Sequence, residues 1–117
     1  MVMQGVKLFQ HSKDWEAFSA GQIIFREGQP GEVMYVILEG EVDIQASGKG
    51  LQTLHSGDMF GEMALVDGEP RSAEAVARTD CKLVPINKKR FGFLVTETPF
   101  FALEVMKVMA NRLRERR

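Results

Sequence analysis

From Glu16 to Asn87 the chain is a succession of short β-rich runs separated by turns rich in glycine. Short extended runs cannot satisfy their own backbone N–H and C=O groups, so they must pair with one another. Even spacing with turn signals between the runs predicts an antiparallel barrel or jelly roll. Gln22–Phe25 is followed by the turn REGQPGE, where Gly28, Pro30 and Gly31 supply the special backbone angles. Glu32–Glu39 places Val33, Tyr35 and Ile37 on one face and Met34, Val36 and Leu38 on the other. A strand apolar on both faces is covered on both. After Gly40, Glu41–Gln45 alternates, with Val42 and Ile44 inward. Ser47-Gly48-Lys49-Gly50 forms a hairpin loop into Leu51–Leu54, and His55–Asp58 turns the chain again. Ala73–Ala77 and Lys82–Ile86 complete the strands, and Pro85, which has no N–H, requires an edge or a bulge.

The period changes at Asn87, which caps a helix from Lys88 to about Thr96 carrying Phe91, Leu94 and Val95 on one side. Thr98-Pro99 reads as an N-cap followed by proline at the first helical position. The second helix runs to about Arg114, with a stripe of Ala102, Leu103, Met106, Met109, Ala110 and Leu113. Its basic end (Arg112, Arg114, Arg116, Arg117) suits the helix dipole. The expected fold is mainly β with α: an antiparallel β-roll or jelly roll followed by two C-terminal helices. It is a single domain over residues 1–117, with an N-terminal segment at 1–15, the roll at 16–87 and the helices at 88–117.

Composition narrows the function classes. The chain has 117 residues, 44% apolar and 26% charged, which is ordinary for a water-soluble core-forming domain. A net charge of −1 argues against an electrostatic grip on nucleic acid. Cys81 is the only cysteine, so no internal disulfide forms and a reducing compartment such as the cytoplasm is expected. There is no apolar run of transmembrane length, and the N-terminus lacks a signal-peptide pattern. His11 and His55 lack metal-ligand spacing, and no nucleophile–base pair is visible. No metal and no catalytic residue are expected; the domain is not read as an enzyme.

Against this background the segment FGEMALVDGEPRSA, Phe60–Ala73, carries the chemistry. Gly61 lets the backbone approach a ligand closely because it has no Cβ. Glu62, an acceptor only, suits a sugar hydroxyl, whereas Arg71 suits a phosphate through a charge-assisted pair. Residues 62–66, too short for a full helix, form a turn whose first N–H groups, near Met63 and Ala64, add donors. Ser72 adds a hydroxyl, and Ala73 closes the segment. The competing reading of Arg71 is a surface ion pair with Asp67 or Glu69.

FGEMALVDGEPRSA resembles the phosphate-binding cassette of the cyclic nucleotide-binding domain family. AGQIIFREGQPGEVMYVILEGEVDI resembles the family's glycine-punctuated opening strands, and SGDMFGE the run into the cassette; the likeness spans roughly Phe18 to Leu113. The resemblance implies a β-roll and a ligand site made of Gly61, Glu62, Met63, Ala64, Arg71, Ser72 and Ala73. It implies Glu62 on the ribose 2′-OH, Arg71 on the cyclic phosphate, and backbone N–H groups near Gly61, Ala64 and Ser72 around that phosphate. It implies cAMP or cGMP as ligand, with cAMP favoured; a hydroxyl residue directly after the arginine can favour guanine, yet serine there also occurs in cAMP-preferring bacterial members. A C-terminal helix commonly supplies an apolar lid, for which Met106, Met109 and Leu113 are candidates. No helix-turn-helix pattern follows the second helix, so no nucleic-acid contact through this chain alone is expected, and no membrane contact. The alternative is a ligand-free interaction or dimerisation domain whose helices meet a second copy or an effector. An enzyme acting on the nucleotide ranks third.

Overall fold

A computed structural model describes residue 9, residues 13–47 and residues 50–115. Most of the N-terminal segment, the Gly48-Lys49 tip of the hairpin loop, His11, and Arg116 and Arg117 lie outside the described residues. The element order is β1 (Glu16–Phe18), β2 (Ile23–Phe25), β3 (Val33–Glu39), β4 (Val42–Gln45), β5 (Leu51–Leu54) and β6 (Met59–Phe60). Then come α1 (Glu62–Asp67), β7 (Glu74–Ala77), β8 (Cys81–Asn87), α2 (Lys88–Glu97) and α3 (Pro99–Glu115).

The strands form two four-stranded sheets, in the orders β1-β8-β3-β6 and β2-β7-β4-β5. Every pairing is antiparallel. This is the expected β-roll with helices following it. The two-faced reading of β3 holds in detail. Met34 and Val36 belong to one buried cluster, with Val84, Ile86, Phe101 and Val105. Ile37 belongs to the other, with Val42, Phe60, Ala75 and Leu83, and Tyr35 packs against it. The first cluster joins the sheet to the helices, and the second fills the roll.

Three expectations need correction. Pro85 is not at a bulge and its strand is internal, since β8 lies between β1 and β3 and Pro85 faces Tyr35 in register; the edge is only local. The ladder tolerates it because β1 reaches only Cys81, Lys82 and Leu83, leaving β8 without a partner on that side at Pro85. Secondly, residues 62–67 do form a helix, short as it is. Glycines at both ends hold it: Gly61 at φ 81 and Gly68 at φ 72, the latter donating its N–H to Ala64 O.

Thirdly, the buried side of α3 is not the stripe read from the sequence. Leu103, Met106, Ala110 and Leu113 are exposed. Phe101 and Val105 are buried, and Val108 and Met109 pack beside them. Apolar residues occur on several sides of this helix, so periodicity alone leaves its rotation open. The edge-on contacts of Phe101 with Phe9 and Phe91 decide it. Asn87 caps α2 as expected, its Oδ1 accepting from Arg90 N–H at 2.8 Å, and α3 starts at Pro99. Thr98 closes α2, its N–H donating to Leu94 O, and meets α3 through its backbone carbonyl, which accepts from Phe101 N–H at 2.9 Å.

Candidate ligand site

The turn between β2 and β3 and the turn between α1 and β7 are tied together by backbone. Gly28 N–H donates to Arg71 O at 2.8 Å, and Arg71 N–H donates to Gln29 O at 2.7 Å. This fixes the Cα of Arg71 and sends its side chain under α1. The guanidinium donates to Gly61 O (Nη1, 3.0 Å) and Val33 O (Nη2, 2.6 Å). Its Cζ lies 4.0 Å from the centre of the Phe25 ring, a cation–π contact. Arg71 therefore makes no ion pair with Asp67 or Glu69; it braces two carbonyls. Burial lowers its pKa from the ordinary arginine value, with Tyr35 and Glu62 opposing, and it remains a cation.

Glu62 is completely buried. Its Oε2 accepts from Met63 N–H at 3.1 Å and from Arg112 Nη1 at 2.7 Å. Gly61 sits between the two charged groups in the left-handed region, and a Cβ there would lie 2.8 Å from Arg71 Nη1. Glycine is the one residue that meets both conditions.

Gly61, Glu62, Met63, Ala64, Arg71, Ser72 and Ala73 all line one cavity of about 30 Å³, together with Phe25, Ile44, Phe60 and Arg112. Ser72 is exposed, whereas Glu62, Ala64 and Arg71 are buried. Met106, Met109 and Leu113 do not line it. In sequence Arg112 is one of the basic residues that suit the helix dipole, yet it lines the site and is only a quarter exposed. It stands fifty residues from Glu62 in sequence, so no local motif could have revealed it. A larger open groove of about 680 Å³ runs past Pro30, Leu65 and Gly68. Its charged members Glu32, Lys88 and Lys89 are exposed.

Two buried side-chain atoms in the described residues have no hydrogen-bond partner, Glu62 Oε1 and Arg71 Nε. Native structures pair nearly all such atoms, so each exception calls for a cause, a group from outside the chain among them. The cavity's charged groups are two guanidiniums and one carboxylate, which leaves one positive charge for a monoanion. No cluster of three or more metal-ligating side chains occurs among the described residues.

Burial is the largest influence on Glu62 and raises its pKa above the ordinary 4.5; Arg112, two backbone N–H groups and Arg71 oppose it. The folded state therefore binds its proton more tightly than the unfolded chain. The resulting stability is fully present below pH 4.5 and is lost as pH rises through the higher folded value. In denaturant titrations over a pH series, wild type should lose stability relative to Glu62→Gln across that window. A difference that stays flat with pH would contradict this assignment.

An antiparallel roll that sets an acid and a guanidinium around one small cavity defines a class of small-molecule-binding domain. The chain belongs to the cyclic nucleotide-binding domain family, whose sequence model matches residues 15–98. It is 38% identical over 98 residues to the human Rap guanine nucleotide exchange factor 3, covering 81% of this chain and 10% of that protein. It is 30% identical over 102 residues to the CRP-like cAMP-activated global transcriptional regulator of Mycobacterium tuberculosis, covering 83% of this chain and 46% of that one. The chain thus spans a small part of the first relative and less than half of the second. A solved chain from work on a cyclic-GMP-dependent signalling pathway in bacterial phytopathogenesis superposes with a TM-score of 0.82 at 25% identity. That match covers 97% of this chain and 96% of the other. No helix among the described residues is long and apolar enough to cross a membrane.

Proposed function

We propose that this domain binds a cyclic nucleotide, cAMP in preference to cGMP, and acts as a regulatory module whose C-terminal helices re-pack around the ligand. The observation that carries the reading is the pairing of opposite needs in one cavity. Glu62 Oε1 is a buried acceptor without a donor, and Arg71 is a buried cation whose Nε is without an acceptor. A ribose hydroxyl supplies the donor and a cyclic phosphodiester supplies the anion. The phosphodiester carries one negative charge, matching the excess of one guanidinium over the carboxylates. Met63 N–H is already given to Glu62 Oε2, so the phosphate grip rests mainly on Arg71.

The cAMP preference draws on the mycobacterial relative, which is named as cAMP-activated; the cyclic-GMP pathway of the solved neighbour is the counterweight. Re-packing is supported by size. The cavity holds about 30 Å³, whereas ligand pockets span roughly 300–1,000 Å³, so a wall must move before a nucleotide fits. The domain itself carries out no chemistry on the ligand in this reading.

A thermal-shift panel of cAMP, cGMP, AMP and cyclic dinucleotides tests the reading, since a ligand specific for the native state raises the midpoint. The midpoint should rise most with cAMP and not with AMP. Calorimetry with 2′-deoxy-cAMP should then show about tenfold weaker binding than cAMP, the loss of roughly one hydrogen bond to a charged group. Equal affinity for the two would remove Glu62 from the ribose. A panel with no shift at all would favour an interaction domain instead. That alternative draws on the exposed side chains of Phe100, Leu103 and Met106 on α3, and it predicts a concentration-dependent dimer.

A further inference from the structure

The structure assigns to Arg112 a role as internal competitor: it occupies Glu62 until a ligand displaces it, and its release frees the end of α3. We propose this latch as an extension of the cyclic-nucleotide reading, on which it rests.

The argument starts from which wall of the cavity can leave. Phe25, Ile44 and Phe60 are strand residues held in the sheet ladders. Residues 61–64 and 71–73 belong to α1 and the turn that Gln29 and Gly28 tie down. Arg112 alone comes from α3. Its neighbours Asn111, Leu113 and Arg114 are all exposed, so little besides its own guanidinium holds this turn of the helix against the roll. Further towards the N-terminal end, Phe101 and Val105 anchor α3 firmly, and Val108 and Met109 pack beside them. The helix is therefore fixed as far as Met109, and its last turn is held by one ion pair.

That pair lies where the ligand must go. Arg112 Nη1 is 2.7 Å from Glu62 Oε2, inside a cavity of about 30 Å³. A ribose hydroxyl on Oε1 brings several ligand atoms into the same space. Guanidinium and sugar then contend for one carboxylate in a volume that holds neither comfortably. The other charged group facing this carboxylate is Arg71, which is fastened to Gly61 O and Val33 O. Arg112 is the cation free to withdraw, because its side chain already reaches solvent. The energetic sign follows. Breaking a buried pair is a cost that every binding event must meet, so removing the pair beforehand should strengthen binding. A residue that merely contacts the ligand would do the reverse.

The test uses Arg112→Met, which keeps a long apolar stem and removes the charge, with Arg112→Lys as a second variant. Association of a fluorescent cAMP is followed by stopped flow, affinity by calorimetry, and helix-end stability by hydrogen exchange without nucleotide. Arg112→Met should bind at least about tenfold more tightly, mainly through faster association, with amides at 110–115 exchanging faster and the β3 amides unchanged. Arg112→Lys should fall between the two, since lysine keeps the charge without the fork. Weaker or unchanged binding by Arg112→Met, with wild type binding normally, overturns the latch and leaves the nucleotide reading standing. Absence of binding by wild type and both variants overturns the nucleotide reading, and the competitive latch falls with it. Unchanged exchange at 110–115 in Arg112→Met overturns the latch without reference to any ligand.

Discussion

Arg71→Ala should weaken cyclic-nucleotide binding by at least about tenfold and destabilise the fold by about 3 kcal/mol. The two effects have separate origins. For the ligand, the substitution removes the main cation available to a phosphate, and a hydrogen bond to a charged group contributes about 1.5–3 kcal/mol. For the fold, it strips the donors from Gly61 O and Val33 O, and each carbonyl left buried and unsatisfied costs about 1–3 kcal/mol. The face of Phe25 also loses its cation. Arg71→Lys restores the charge but not the function, because a single ammonium cannot brace two carbonyls and still present a planar fork. Calorimetry at a temperature where the variant is folded measures the first effect, and denaturant unfolding measures the second. Full affinity in folded Arg71→Ala would remove the phosphate role.

Gly31→Ala should approach the same result from a residue that carries no functional group. A Cβ at Gly31 would lie 2.5 Å from Arg71 Nε, 2.6 Å from Ala64 Cβ and 2.7 Å from Arg71 Cζ. Ala64 is buried on α1 and cannot swing aside, so either the turn or the guanidinium must shift. Overpacking of this kind costs about 1–3 kcal/mol, and a displaced guanidinium should lower ligand affinity by at least about tenfold. Gly28→Ala in the same turn is the control. Gly28 has φ +88 and open space around it, so alanine there costs roughly 1–2 kcal/mol of backbone strain and leaves affinity unchanged. Equal binding by wild type and Gly31→Ala would show that the guanidinium relocates without consequence.

The strand plan was legible because β3 alternates apolar residues on both faces and the turns around it contain glycine. The cassette was legible because its chemistry is local: Gly61 to Ala73 fold into one wall of one cavity. What escaped was decided by contacts between distant residues. The rotation of α3 depends on Phe101 meeting Phe9 and Phe91, and an apolar helix offers more than one face for that. Arg112 escaped for a related reason, since its partner is on α1 and a terminal arginine always looks like a dipole charge. The carbonyls held by Arg71 were invisible too, because backbone acceptors leave no trace in side-chain identity. Gly31 could be read as a turn residue, but not as the space through which an arginine passes.

β3 separates two interiors, with Met34 and Val36 facing the helices and Ile37 facing the roll. The strand is a party wall, and neither household stands alone. Detached from α2 and α3, the roll would turn Met34, Val36, Val84 and Ile86 outward as a bare apolar panel. The helices are thus the outer cladding of the receptor, and evolution cannot shed them to make a smaller one without refacing that wall.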